Sequence, residues 1–176
     1  RILAEIDWVL RRFARDHAAA APLYAVGVSL GGNALLKWLG ERGEDAGRIV
    51  RSAAAVSAPQ DLHAGAIALA SGFSLLYCAN FLKTLKAKSL AKLALHPGIF
   101  DGERVRTSRT FFDFDDAVTA PLHGFRDCYD YWARSSSKQF LGGVTVPTLV
   151  LNALNDPFVP GHALARPDQV SASVRL

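Results

Sequence analysis

Over the first sixteen residues, apolar side chains fall at Ile2, Leu3, Ile6, Val9, Leu10 and Phe13, while Arg11, Arg12, Arg15 and Asp16 are polar. That is the spacing of a helix with one buried stripe. A loop from His17 to Pro22 breaks it. Residues 23–28 (LYAVGV) are apolar without alternation, the pattern of a strand buried on both faces of a parallel sheet. A helical pattern from about 30 to 39 follows and is expected to stop at Gly40. Residues 49–56 read as a second buried strand, closed by Ser57-Ala58-Pro59. Residues 148–152, entered from Pro147, read as a third, and a fourth begins at Ser173. Strand alternating with helix predicts an α/β layer fold on a parallel sheet. The stretch 61–142 departs from it. It is mostly helical and too long for one crossover, and it carries Phe73, Leu75, Leu76, Tyr77, Phe81, Leu82 and Leu85. It is expected to pack as a helical insertion over one edge of the sheet, within one domain spanning 1–176.

Composition adds limits. A chain of 176 residues suggests one domain. With 50% hydrophobic and 20% charged residues it is neither disordered nor fibrous. The net charge of +4 is too mild to imply a nucleic-acid partner. Cys78 and Cys128 form no disulfide framework and no metal spacing, so a reducing, cytoplasmic setting is expected. No apolar run is long enough for a membrane span, and the first residues lack a signal-peptide pattern. The chain has no Met, opens inside a helical pattern and closes inside a strand pattern. These features predict an internal stretch of a longer protein.

Chemistry concentrates in Gly27-Val28-Ser29-Leu30-Gly31, a G-x-S-x-G pentad between a strand pattern and a helix pattern. A serine on a tight, strained strand-to-helix turn holds its hydroxyl above the sheet, and flanking glycines remove Cβ atoms where strand and helix approach. Gly32 extends the small-residue surface. The Leu30 N–H, at a helix N-terminus, is placed to donate to an oxyanion. The alternative is an ordinary Gly-Ser turn, and the strand–turn–helix context argues against it.

A nucleophilic serine needs a base, and the base needs an orienting acid, in the chain order serine, acid, histidine. Asp156, in a turn after the 148–152 strand, is the favoured acid. Asp61 competes, although a helix N-cap after Pro59 is the plainer role for it. The histidines fit poorly. His17 precedes the serine, and His63, His96 and His123 precede Asp156. His162 follows Asp156 too soon for a helix and a strand to intervene. The base is expected to lie outside these residues.

The strings from Leu23 to Asn33, from Leu35 to Glu41, Phe112 to Pro121 (FDFDDAVTAP), Tyr129 to Trp132 (YDYW) and Leu151 to Phe158 (LNALNDPF) resemble the YheT-like branch of the α/β-hydrolase superfamily over nearly the whole chain. The resemblance implies a serine esterase with a helical cap, Ser29 as nucleophile, Asp156 as acid, and strands equivalent to the fifth to eighth of the superfamily. Relatives act as short-chain carboxylesterases, some on lipids, and some transfer acyl groups to alcohols. The Gly-Gly-His string that carries the family histidine is missing here. So are the early strands and the loop that supplies a second oxyanion N–H, which leaves the 23–28 strand with an open edge.

Lys83, Lys86, Lys88 and Lys92, interleaved with leucines, suit either weak contact with anionic lipid or a solvated face turned to Asp113, Asp115 and Asp116. No phosphate loop and no metal constellation is present, so no cofactor and no metal is expected. The reading is a hydrolase of small-molecule or lipid-type carboxylic esters acting through Ser29, with no nucleic-acid partner and no obligate protein partner. The alternatives are an acyltransferase using the same acyl-enzyme, or a non-catalytic interaction protein on the same fold.

Overall fold

Four strands, β1 (Tyr24–Val28), β2 (Ser52–Val56), β3 (Thr148–Leu151) and β4 (Val174–Arg175), pair in parallel in the order β1-β2-β3-β4. They belong to a computed structural model that describes residues 2–17 and 21–176. The chain divides into two compact units, 1–61 with 135–176, and 62–134. Residues 18–20 of the expected 17–22 loop lie outside the described residues.

In the first unit, α1 (Ile2–His17), α2 (Leu30–Arg42) and the short α3 (Glu44–Gly47) accompany the sheet. Ala25, Ala53, Ala55 and Val150 point into a core with Leu35, Leu36, Trp38, Leu39, Val144 and Val146, and Leu3, Ile6 and Leu10 of α1 pack against it. The small strand side chains let the helices lie close to the sheet. Asp7 of α1 accepts a hydrogen bond from the indole N–H of Trp38 (3.0 Å) and pairs with Arg42 (3.1 Å), fixing α1 to α2.

Three expectations need correction. β1 is not buried on both faces. Its pattern alternates, and Tyr24, Val26 and Val28 are exposed, as are Leu149 and Leu151 of β3. Among the described residues the helices of this unit cover the other face of the sheet. The second strand starts at Ser52 rather than 49, because the N–H groups of Ile49 and Val50 turn back to the Ala46 carbonyl. Finally, α2 does not stop at Gly40. A Cβ there would lie 2.2 Å from the Phe140 carbonyl oxygen, so this glycine admits the 3₁₀ turn Lys138–Gly143 against the helix. The helix ends at Gly43 (φ 50°), whose N–H donates to the Leu39 carbonyl.

The second unit is helical: α4 (Leu62–Leu69), α5 (Ser74–Leu95), α6 (Gly102–Thr107), α7 (Phe111–Phe114), a π-helical turn Asp115–Thr119, α8 (Ala120–His123) and α9 (Cys128–Ser135), whose last residue belongs to the first unit. Cys78, Leu82, Phe100, Val105, Phe114 and Val118 form one core. A second forms around Leu62, Ala66, Cys128 and Trp132, where the His63 ring stacks on Trp132. Asp115 is buried and accepts hydrogen bonds from the Trp132 indole (2.8 Å) and the Thr119 hydroxyl (2.6 Å). No single helix among the described residues is long and apolar enough to cross a membrane.

Candidate active site

Ser29 belongs to the ladder and to the helix at once. Its N–H donates to the Val56 carbonyl (2.9 Å), one step beyond the end of β1, and its own carbonyl accepts from the N–H groups of Gly32 (2.9 Å) and Asn33 (3.2 Å), which starts α2. Meeting both demands in one residue forces φ 53°, ψ −128°. For a non-glycine residue this costs of order 1–3 kcal/mol and persists only where its surroundings over-determine it. Ser29 is exposed, and its hydroxyl has no hydrogen-bond partner among the described residues.

The glycines of the pentad divide by function. A Cβ on Gly27 would lie 2.6 Å from the Gly31 carbonyl oxygen and 2.7 Å from the Gly32 Cα. One on Gly32 would lie 2.8 Å from the Ala58 Cβ. Gly31 has nothing within 4 Å of its Cβ position, so the expectation that both flanking glycines avoid a collision holds for Gly27 and not for Gly31. Close approach of strand and helix therefore rests on Gly27 and Gly32.

Leu30 is the first residue of α2, and among the described residues its N–H has no acceptor. Unpaired amides and the helix dipole both favour negative charge at this point. Buried Asn33, on the next turn, donates to the Ser135 carbonyl (2.9 Å) and accepts from the Ser137 N–H (2.8 Å). This holds segment 135–137 against the helix that carries the elbow.

Register brings further residues to the same edge. Val28, Val56 and Leu151 are aligned across β1, β2 and β3, so Ser29, Ser57 and Asn152 follow three neighbouring strand ends. Ser57 also has positive φ (49°), and its N–H donates to the Leu151 carbonyl (2.8 Å). Asn152 donates to the Ala58 carbonyl (3.1 Å) and accepts from the Gln60 amide (3.3 Å). The oxygen of the buried Gln60 side chain accepts from the Ala165 N–H (2.7 Å). These bonds tie the loops after β2 and β3 together, and Asp156 sits on the second of them. Its N–H donates to the Ala153 carbonyl (3.3 Å), and its carboxylate accepts from the Phe158 N–H (2.8 Å).

Sequence reasoning missed Ser57, Gln60 and Asn152. The available signal was polar residues directly after apolar strand runs, where a buried polar group must be paired. Asp61, the competing acid, is the last residue before α4. The histidines are dispersed. His17 ends α1 ahead of the start of β1, at the far end from Ser29, with its ring stacked on Phe13. His63, His96 and His123 belong to the helical unit. His162 lines a cavity of about 320 Å³ with Gln60, Asn152, Leu154 and Arg166. Among the described residues no histidine is hydrogen-bonded to Ser29 or Asp156.

The chain is 36% identical over 172 residues to "Putative esterase YheT" of Escherichia coli (strain K12), a match covering 97% of this chain and 50% of that protein. The chain belongs to the YheT-like branch of the α/β-hydrolases. Other relatives include "Phospholipase ABHD3" of Mus musculus, 32% identical over 82% of this chain and 35% of its own length. "Monoacylglycerol lipase ABHD2" of Danio rerio is 29% identical over the same shares. No family model matches the chain. The chain spans between about a third and a half of the length of these curated relatives. The parallel sheet with its accompanying helices is the α/β architecture expected of the branch.

Proposed function

We propose that the full-length protein cleaves carboxylic esters through an acyl-enzyme on Ser29. The observation that carries this reading is the Ser29 backbone, a non-glycine residue held at φ 53° between the end of β1 and the first turn of α2. Relatives named esterase, phospholipase and monoacylglycerol lipase support it.

In this reading the Ser29 oxygen attacks the ester carbonyl carbon while its proton passes to an imidazole. The carbonyl electron pair moves onto oxygen, and the resulting oxyanion accepts from the Leu30 N–H. The tetrahedral species collapses, the carbon–oxygen bond to the alcohol breaks, and the alcohol leaves with the imidazole's proton. Water then attacks the acyl carbon and returns Ser29 and a carboxylic acid. Asp156 orients the imidazole. The imidazole is taken to come from the full-length protein outside 1–176, since Ser29 and Asp156 have no histidine partner among the described residues.

The substrate class is small-molecule esters, including lipid-type ones met at a membrane surface. The helical unit, inserted between β2 and β3, is assigned as the family cap, and β1 to β4 as the fifth to eighth strands. The unpaired thiols of Cys78 and Cys128 fit a cytoplasmic location.

The test is hydrolysis of nitrophenyl butyrate by the full-length protein. Ser29→Ala is expected to lower turnover by on the order of 10⁶, and Asp156→Asn by on the order of 10⁴. Turnover kept within about tenfold in Ser29→Ala would end the reading. A large loss in Asp61→Asn, with Asp156→Asn near wild type, would move the acid to Asp61.

A further inference from the structure

Between Asp61 and Asp101 the sequence has no acidic residue, while it carries Lys83, Lys86, Lys88 and Lys92. The structure removes the most obvious way of neutralising them. Asp113 is engaged by the N–H groups of Arg109 and Thr110 and by the Thr110 hydroxyl. Asp115 is held by Trp132 and Thr119, and Asp116 pairs with Arg104 (2.6 Å) and accepts from the Cys128 N–H. Among the described residues none of the four lysines pairs with a carboxylate. Lys86 donates to the Arg106 carbonyl.

The same helix begins with bare apolar side chains. The helix direction bends by 106° from α4 to α5, across a turn in which Gly72 has φ 54°. At this corner Phe73 is 74% and Leu76 64% exposed, and Ile67 of α4 is half exposed. Single exposed apolar residues are ordinary, whereas a cluster of them at a corner marks a contact surface. α5 buries a stripe through Ser74, Cys78, Leu82 and Ser89. Phe73, Leu76 and Lys83, spaced by three and seven residues, lie on another face. Lys88, five residues past Lys83, stands about 140° round the helix from it and flanks Phe73 on the opposite side.

We propose that the α4–α5 corner docks on an anionic lipid surface, with Phe73 and Leu76 at the acyl boundary and Lys83 and Lys88 at the headgroups. Ten residues of helix place Lys83 about 15 Å along the axis from Phe73. A helix that enters corner-first and leans over thus sets the ring below the headgroups and the ammonium groups among them, where long lysine stems reach. An acidic protein or a nucleic acid would satisfy the lysines but give no reason for a bare phenylalanine and leucine at the corner. The inference deepens the lipid-type substrate reading but rests on the helical unit alone, not on the chemistry at Ser29.

The test is flotation of the full-length protein with vesicles of two parts phosphatidylcholine to one part phosphatidylglycerol, against vesicles of phosphatidylcholine alone. Each lysine near an anionic leaflet counts for about fivefold in partitioning. Lys83→Glu/Lys88→Glu is therefore expected to weaken binding to the mixed vesicles by at least about 25-fold. Phe73→Ser/Leu76→Ser, at exposed positions, is expected to weaken it at low salt as well as high. Ser29→Ala is expected to float like the wild type, which separates failure of docking from failure of catalysis. Absence of wild-type binding to the mixed vesicles would overturn the proposal, as would equal flotation of all variants. So would a self-association in the absence of lipid that Phe73→Ser/Leu76→Ser abolishes, because the corner would then be a contact between copies.

Discussion

Gly27→Ala and Gly31→Ala change the same atoms in the same pentad, and the structure predicts opposite results. The added methyl at Gly27 would sit 2.6–2.8 Å from three backbone atoms of Gly31 and Gly32. None of these can rotate away, so α2 must shift from β1 by several tenths of an ångström. Overpacking of this kind costs about 1–3 kcal/mol, and contacts made wholly with backbone place it toward the upper end. The methyl at Gly31 meets nothing within 4 Å, and Gly31 lies within α2 without positive φ. There alanine gains up to about 1 kcal/mol of helix propensity over glycine. The two variants should therefore differ by about 2–4 kcal/mol. Urea unfolding of the full-length protein followed by circular dichroism reads this as midpoints separated by on the order of 1 M. Gly27→Ala should also lose ester turnover, since it displaces Ser29. Equal midpoints, or Gly31→Ala as the less stable variant, would refute the assignment of close approach to Gly27.

Asn33→Ala removes the partner of the part-buried Ser135 carbonyl and of the buried Ser137 N–H and is expected to cost about 1–3 kcal/mol in the same unfolding assay. Burial raises the carboxyl of Asp115 above its ordinary value, against hydrogen bonds from Thr119 and Trp132 that lower it. Stability linked to it is then full below the ordinary carboxylate range and is lost as pH rises through the folded value. Wild type should accordingly gain on Asp115→Asn as pH falls from about 7 to about 4, and a constant difference would contradict this. Burial, with Asp116 nearby, pushes the Cys128 thiol up to about 11. Peptide mapping should find Cys128 unalkylated in native protein near pH 8 and modified in urea.

Periodicity located the four strands and the elbow because each is a local pattern: an apolar run, a glycine, a serine, a helix repeat. Gly40 was misread for the opposite reason. As a helix stop it is a local signal, but its use is set by Phe140, a hundred residues away in sequence. The exposed face of β1 was equally beyond reach, since an apolar run states what can be buried and not what covers it. Ser57 looked like a turn residue, and only the register of β1, β2 and β3 sets it beside Ser29. Asp113, Asp115 and Asp116 looked like partners for the lysines of α5, and their capping, indole and arginine bonds show them engaged elsewhere.

Whether Ser29 is a nucleophile is read by covalent labelling of the full-length protein with a fluorophosphonate, with the modified residue located by mass spectrometry. The phosphorus forms a bond to the attacking serine oxygen and fluoride leaves, so the label marks an activated hydroxyl whatever the natural ester. A single stoichiometric adduct on Ser29 is expected, blocked by Ser29→Ala and slowed by Asp156→Asn. An adduct on Ser57 or another serine, or native protein that stays unlabelled while hydrolysing esters, would contradict it.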